Sequence, residues 1–311
     1  MPHSFHFTEP NLPTQANLIR QAKKHGFEVS AEDHADINDT LLALNANALC
    51  HLEYKHLLHD LIDRHRPTLI PRGFHVHDGN VLDVASIIQA QSNTPWLLKP
   101  ALRNNGDGIT FLADAHALIQ HYQSHERYGG DHLLQAYITN PHLLNGHKYS
   151  IRMFIIVTHE AKAFIYPQGY MNIARDPYNI EKRQGYLTNE HLQHEIPNVW
   201  QAPTERCPHF DVIAEKIKNA SSHLMQAFFD EHSSSIKQDT PALAFLGVDW
   251  MLDASLKLWL LEVNHGPCFP TDPNHPLQAH LYDEFWAAVF QEIVLPMLHD
   301  QSPSVVHFDT V

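Results

Sequence analysis

Three groups of residues in this 311-residue chain have types and spacings suited to handling a charged ligand. In Leu261-Glu-Val-Asn264, Glu262 and Asn264 are two apart, so on a strand their side chains leave the same face. Asp249, in Phe245-Leu-Gly-Val-Asp249, joins that face if the chain turns back near residue 254. Three oxygen donors, two of them anionic, suit a hard cation such as Mg²⁺, which keeps waters and substrate phosphates in its other positions. An ordinary hairpin with a polar, wet end has the same spacing. In Lys148-Tyr-Ser-Ile-Arg152, alternation puts Lys148, Ser150 and Arg152 on one face. Two cations and a hydroxyl there match an anion such as a triphosphate, although a solvated sheet face alternates in the same way. Lys99 closes the apolar run Trp96-Leu-Leu-Lys-Pro100, ahead of the polar loop Arg103–Gly108, whose backbone amides are able to cover phosphate oxygens. A hard cation, a cationic grip and a covering loop are together the parts that phosphoryl transfer needs.

The elements that must position these residues are readable in outline. Asn17–His25 has helical spacing and ends at Gly26, with Phe27–Val29 as a strand behind it. Leu52–Ile62 reads as one amphipathic helix that stops before Arg66-Pro67, and Thr68–Pro71 as a short strand. Trp96–Pro100 and Ile109–Leu112 flank the glycine-containing loop as a hairpin, unlike the strand-to-helix turn of a P-loop. A helix near Asp114–Tyr122, a strand Leu133–Ile138, and a long strand Tyr149–Thr158 with Ala161–Tyr166 as its hairpin partner follow. Val212–Phe228 and Tyr282–Val294 carry apolar residues at helical spacing. Between them Phe245–Leu252 and Leu256–Val263 form a hairpin through Asp253-Ala-Ser255. The fold class is α/β (α+β).

Composition narrows the function. The net charge is −14 with histidine neutral, which argues against nucleic acid, because phosphate neutralisation needs clustered Lys and Arg. No apolar run is long enough to span a bilayer and no export signal is visible, so no membrane partner is expected. Cys50, Cys207 and Cys268 are widely separated and odd in number, which fits a reducing cytoplasm. Histidine is abundant, at 27 residues, and His51/Lys55/His59, His121/His125 and His75/His77 sit at plausible zinc-ligand spacings. No HExxH pattern accompanies them, so compositional bias on solvated surfaces accounts for the surplus and a zinc hydrolase is disfavoured.

With these residues on the page, the chain resembles the tubulin-tyrosine-ligase-like family of ATP-grasp enzymes over roughly residues 50–270. The matching segments run in order: Leu69-Ile-Pro-Arg-Gly-Phe74, Trp96–Pro100 with Gly106-Asp-Gly-Ile109, Leu134-Gln-Ala-Tyr-Ile138, Leu144–Arg152, Asp176-Pro-Tyr178, Tyr186-Leu-Thr-Asn189, Phe245–Asp249 and Leu261–Asn264. The resemblance implies an ATP-grasp fold with a small N-terminal α/β domain (1–51), a central domain (52–138) and a larger C-terminal domain (139–311), ATP lying between the last two. It implies ATP and one or two Mg²⁺ ions as cofactors. Lys99 and Lys148 would contact phosphates or ribose, and Gln135, Tyr137 and Ile138 would line the adenine. Arg152 would grip the γ-phosphate or the reaction intermediate, and Asp249, Glu262 and Asn264 would hold the metal. Lys55 falls where the family places a substrate-side lysine.

Enzymes of this kind phosphorylate a carboxylate to an acylphosphate that an amine then attacks. The implied partners are therefore an amino-acid co-substrate and a protein or peptide acceptor. Departures fall on the substrate and phosphate side. Ser150 stands where the family usually has an aspartate, Asn172 where many members have an arginine (with Arg175 nearby as a substitute), and Asn105 where a basic residue is common. An ATP-binding scaffold without ligase activity is the alternative reading.

Overall fold

Alternation along the two longest strands divides the molecule into layers. The computed structural model describes residues 3–31, 35–91, 94–182, 187–188 and 198–311. The short strands β1 (Ser4–Phe5) and β2 (Glu28–Val29) pair in parallel. A four-stranded antiparallel sheet contains β3 (Gly73–Val76), β4 (Trp96–Pro100), β5 (Thr110–Leu112) and β6 (His132–Ala136), in the order β3-β6-β4-β5. An eight-stranded sheet is built on β8 (His147–Thr158), with β7 (Leu143–Leu144), β9 (Ala163–Ile165), β10 (Tyr170–Ala174), β11 (Val199–Pro203), β12 (Leu243–Leu252), β13 (Leu258–His265) and β14 (Asp309–Thr310). Its main path is β11-β10-β8-β12-β13.

On β8, Tyr149, Ile151, Met153, Ile155 and Val157 point into one core, and so do Leu246, Val248, Trp250 and Leu252 of β12. Helices α2 (Ala46–Glu53) and α3 (Lys55–His65), together with the 27-residue helix Phe210–Ile236, close that core. The opposite face changes character along its length. Phe154, Ile156, Leu243 and Phe245 lie under the C-terminal helical run and helix α1 (Pro13–Lys24), whereas Lys148, Ser150, Arg152 and Asp249 occupy the other half of the same face. The helical run from Gln278 to Leu298 alternates π and α turns. The four-stranded sheet buries Trp96, Leu98 and Leu134 against α4 (Val81–Gln89) and α5 (Ala115–Gln123). Leu97, Lys99 and Gln135 therefore face the other way.

Several expectations need correction. Leu52–Ile62 is two helices, because Tyr54 at ψ 120° ends α2 and begins α3. Thr68–Pro71 is not a strand: Pro71 has no N–H for a ladder, and pairing starts only at Gly73. The hairpin of β12 and β13 has a longer turn than expected, with Asp253 accepting hydrogen bonds from the Ser255 and Lys257 amides and the Trp259 indole. Helix α4 and strands β10 and β11 were not foreseen. Of Tyr186-Leu-Thr-Asn189, Tyr186 and Asn189 lie outside the described residues.

Candidate active site

The polar half of the large sheet faces the bare face of the smaller one across a cavity of about 340 Å³. Registry explains how residues far apart in sequence meet there. Tyr170 of β10 pairs with Arg152 of β8, Arg152 with Asp249 of β12, and Asp249 with Glu262 of β13. One row across four strands therefore sets a phenol, a guanidinium and two carboxylates side by side. The register shifts on β13 just past this row, at the Asp249/Trp250 step. That bulge lets Glu262 and Asn264 share the cleft face while Leu260 stays in the core.

The contacts are close. Arg152 donates to both oxygens of Asp249, Nε to Oδ1 at 2.5 Å and Nη2 to Oδ2 at 2.7 Å. Asn264 Nδ2 lies 3.4 Å from Asp249 Oδ2 and 3.4 Å from Glu262 Oε1. Lys55 Nζ, buried at the head of α3, is 3.9 Å from Glu262 Oε2 and donates to the Arg103 carbonyl at 2.6 Å. It thus ties Glu262 to the start of the Arg103–Gly108 loop. From the smaller sheet, Lys99 Nζ donates to Gln135 Oε1 at 2.6 Å. Lys148 Nζ sits 4.7 Å from the centre of the Tyr137 ring.

Burial governs the charges. It pulls the Lys99 ammonium down to about 8, and that of Lys148, with help from Lys99, down to about 7. Burial also pushes Asp249 upward, and this outweighs the pull of Arg152, with the Glu262 carboxylate adding to the rise. Desolvation pushes the half-buried Glu262 the same way, yet Lys55 and Lys99 outweigh that cost and hold its carboxyl below the usual range. The two carboxylates thus sit side by side, Asp249 held by Arg152 and Glu262 by the lysines, with room for a cation to bridge them.

Sequence reasoning brings together Lys55, Lys99, Gln135, Tyr137, Ile138, Lys148, Ser150, Arg152, Asn172, Asp249, Glu262 and Asn264. All of these line the cavity except Lys55, which reaches it through Glu262. Arg175 is exposed just beyond β10, outside the lining. Three contributors were missed. Tyr170 completes the charged row. Gly247 leaves the space in which Arg152 lies, because a Cβ there would be 2.9 Å from Nη1. Leu187 packs with Leu97 and Tyr137 into an apolar pad on the cavity wall. Gly247 and Leu187 stand inside Phe245–Asp249 and Tyr186–Asn189, but a glycine and a leucine declare no role without the register, and nothing marks Tyr170 until β10 is paired with β8.

The residues present fit a magnesium nucleotide. The Gln135 side-chain nitrogen is buried in the wall with no hydrogen-bond partner among the described residues, a donor suited to a heteroaromatic acceptor. Beside it the Leu97–Tyr137–Leu187 pad offers a flat apolar surface for a base. Asp249, Glu262 and Asn264 supply only oxygen donors, as a hard cation requires, and Lys99, Lys148 and Arg152 supply positive charge for phosphates.

Fold and site together define a mixed α/β protein with a cleft that couples carboxylates to a cationic grip. The profile of the tubulin-tyrosine ligase family matches residues 53–303. The chain belongs to that family, within the ATP-grasp superfamily. It is 24% identical over 224 residues to tubulin polyglutamylase TTLL6 of Mus musculus, covering 61% of this chain and 26% of that protein. It is 24% identical over 234 residues to tubulin glycylase 3D of Tetrahymena thermophila, covering 68% and 21% respectively. With tubulin polyglutamylase TTLL13 of Mus musculus the identity is 30% over 176 residues, covering 46% and 22%. The chain thus spans about a quarter of the length of these relatives. Among the described residues, no helix is long and apolar enough to cross a membrane.

Proposed function

We propose that the chain is an ATP- and Mg²⁺-dependent carboxylate–amine ligase that joins an amino acid to a protein or peptide, in a cytoplasmic setting. The observation that carries this reading is the row Arg152–Asp249–Glu262, with Lys148 on the same sheet face and Lys99 opposite it across one cleft. When bound, Mg-ATP would supply the phosphoryl group that activates a carboxylate, with ADP leaving, and attack of the amine would form the C–N bond as inorganic phosphate leaves. Lys99, Lys148 and Arg152 then offset charge on the phosphates, and Asp249, Glu262 and Asn264 hold the cation. Lys55 links Glu262 to residue 103, so closure of the 103–108 loop is coupled to the metal side of the cleft. Relatives named as tubulin polyglutamylases and a tubulin glycylase support glutamate and glycine as first candidates for the added amino acid.

A second reading, nucleotide binding without ligation, draws on one observation. Ser150 and Asn172 are cross-strand neighbours, so two of the three departures from the family pattern fall on one neutral spot. A screen of all common amino acids with several peptide acceptors, read as ADP and as mass added, decides between the two. The ligase requires ADP release that depends on both an amino acid and an acceptor, and Glu262→Gln abolishes it while circular dichroism stays native. Tight ATP binding with no turnover across the screen would establish the scaffold instead.

A further inference from the structure

Outside the cleft, two imidazoles and a carboxylate converge on the far side of α3. His56 follows Lys55 in the first turn of that helix, His75 lies in the middle of β3, and Asp131 immediately precedes β6. Their ligand atoms all lie within 4.8 Å of one another. Asp131 Oδ2 is 3.5 Å from His75 Nε2 and 3.9 Å from His56 Nε2. The two histidine rings face each other at 4.6 Å between centres. His75 Nε2 is buried and makes no hydrogen bond among the described residues, although it is aimed at the carboxylate. Buried imidazole nitrogens are ordinarily paired, and an ion held between the three side chains would give this one a partner.

We infer that His56, His75 and Asp131 form a binding site for a late-transition divalent ion, zinc foremost. An N₂O donor set of this kind suits Zn²⁺ and its neighbours and is a poor match for Mg²⁺. Donors around tetrahedral zinc at bonds of about 2.1 Å are roughly 3.4 Å apart, so the two imidazole–carboxylate separations of 3.5 and 3.9 Å need only a small contraction, and the imidazole pair, within 4.8 Å, closes by a side-chain rotation. The partly exposed Asp131 leaves the fourth position open to water.

The fold delivers the three residues by a specific route. Gly73 lets β3 press against α3, since a Cβ there would meet His59 Nε2 at 2.8 Å. Asp131 is held by its carbonyl, which accepts from the Ala101 amide at 2.9 Å, while the Ala101 carbonyl accepts from the Lys55 amide at 3.3 Å. A metal here therefore staples the first turn of α3 to two strands of the smaller sheet, directly behind Lys55. The site is distinct from the cleft and holds whether or not the ligase reading does. Neither His51/Lys55/His59 nor His75/His77, the pairings that sequence spacing suggests, is the cluster that the fold assembles.

The test uses chelator-treated full-length protein with saturating Mg²⁺ present, titrated with Co²⁺ for its visible absorption band and with Zn²⁺ in competition. The native chain should bind one equivalent, with a visible band that Zn²⁺ abolishes, and zinc should raise the melting temperature. His75→Gln and Asp131→Asn should each weaken binding at least about tenfold. Asp131→Asn changes a partly exposed residue and keeps the test valid if the histidine variant misfolds. Asp249→Asn, at the cleft, and a His51→Gln/His232→Gln double variant, at a second histidine pair whose ring centres lie 4.2 Å apart, should bind as the native protein does. No visible band in the native protein, or equal affinity in Asp131→Asn, overturns the site.

Discussion

Lys148 shows how a single buried residue carries the chemistry of the cleft. Its ammonium is nine-tenths buried and is lowered to about 7 by burial and by Lys99. At pH 8 it is therefore mostly neutral before any ligand arrives. On the proposed reading, nucleotide phosphates beside it favour the charged form, so its pKa rises on binding and the protein takes up a proton. The sign follows directly: above about pH 7 each bound nucleotide must recruit that proton, and affinity falls by up to about tenfold per pH unit. Calorimetry at pH 8 in buffers of different ionisation enthalpy should report proton uptake on ATP binding, and Lys148→Met should reduce it. Binding without proton uptake at pH 8 would mean that Lys148 does not touch the phosphates.

At the scale of elements, the strand register does what no residue does alone. Gly247 stands opposite Asn264 on β12 and under the Arg152 guanidinium. Arg152 is held by two bonds to Asp249 and cannot swing aside without breaking them. Gly247→Ala should therefore unseat Arg152 while leaving the core intact, at a stability cost of about 1–3 kcal/mol. Turnover should fall at least about tenfold with a near-native circular dichroism spectrum, and unchanged turnover would show that the Arg152 position is unimportant. The same scale explains what the sequence could disclose. Alternation exposed Lys148, Ser150 and Arg152 on one face, and the Glu262/Asn264 spacing gave the other. The side of β10 was hidden, because Tyr170–Ala174 is buried at every position and shows no period. The β13 bulge and the break at Tyr54 were hidden too, since both depend on packing against α3 and the core and not on local preference. Register also shows that Ser150 and Asn172 face each other. Where the family resemblance leads to the expectation of an acid and a base, this chain has two neutral groups that leave no orphaned charge.

For the molecule as a whole, the cleft and the surface pull in different directions. The cationic residues of the site are buried, while the chain as a whole carries 35 acidic against 21 basic residues and a net charge of −14. At low salt, a field of that sign slows the approach of acidic partners and favours neutral or basic ones. An acceptor peptide meets this outer field before it meets Lys99, Lys148 or Arg152. Relatives whose names specify tubulin are matched over only about a quarter of their length, so whatever else those proteins contribute to acceptor choice has no counterpart in the comparison. On the ligase reading, matched acidic, neutral and basic peptides offering the same carboxylate should rank basic first and acidic last in kcat/KM at low ionic strength. Raising the salt should collapse the ranking, because screening beyond about 8 Å at physiological ionic strength removes the long-range field and leaves the local contacts. A preference for the acidic peptide that weakens as salt is added would instead place a basic acceptor groove on this surface and reverse the expectation.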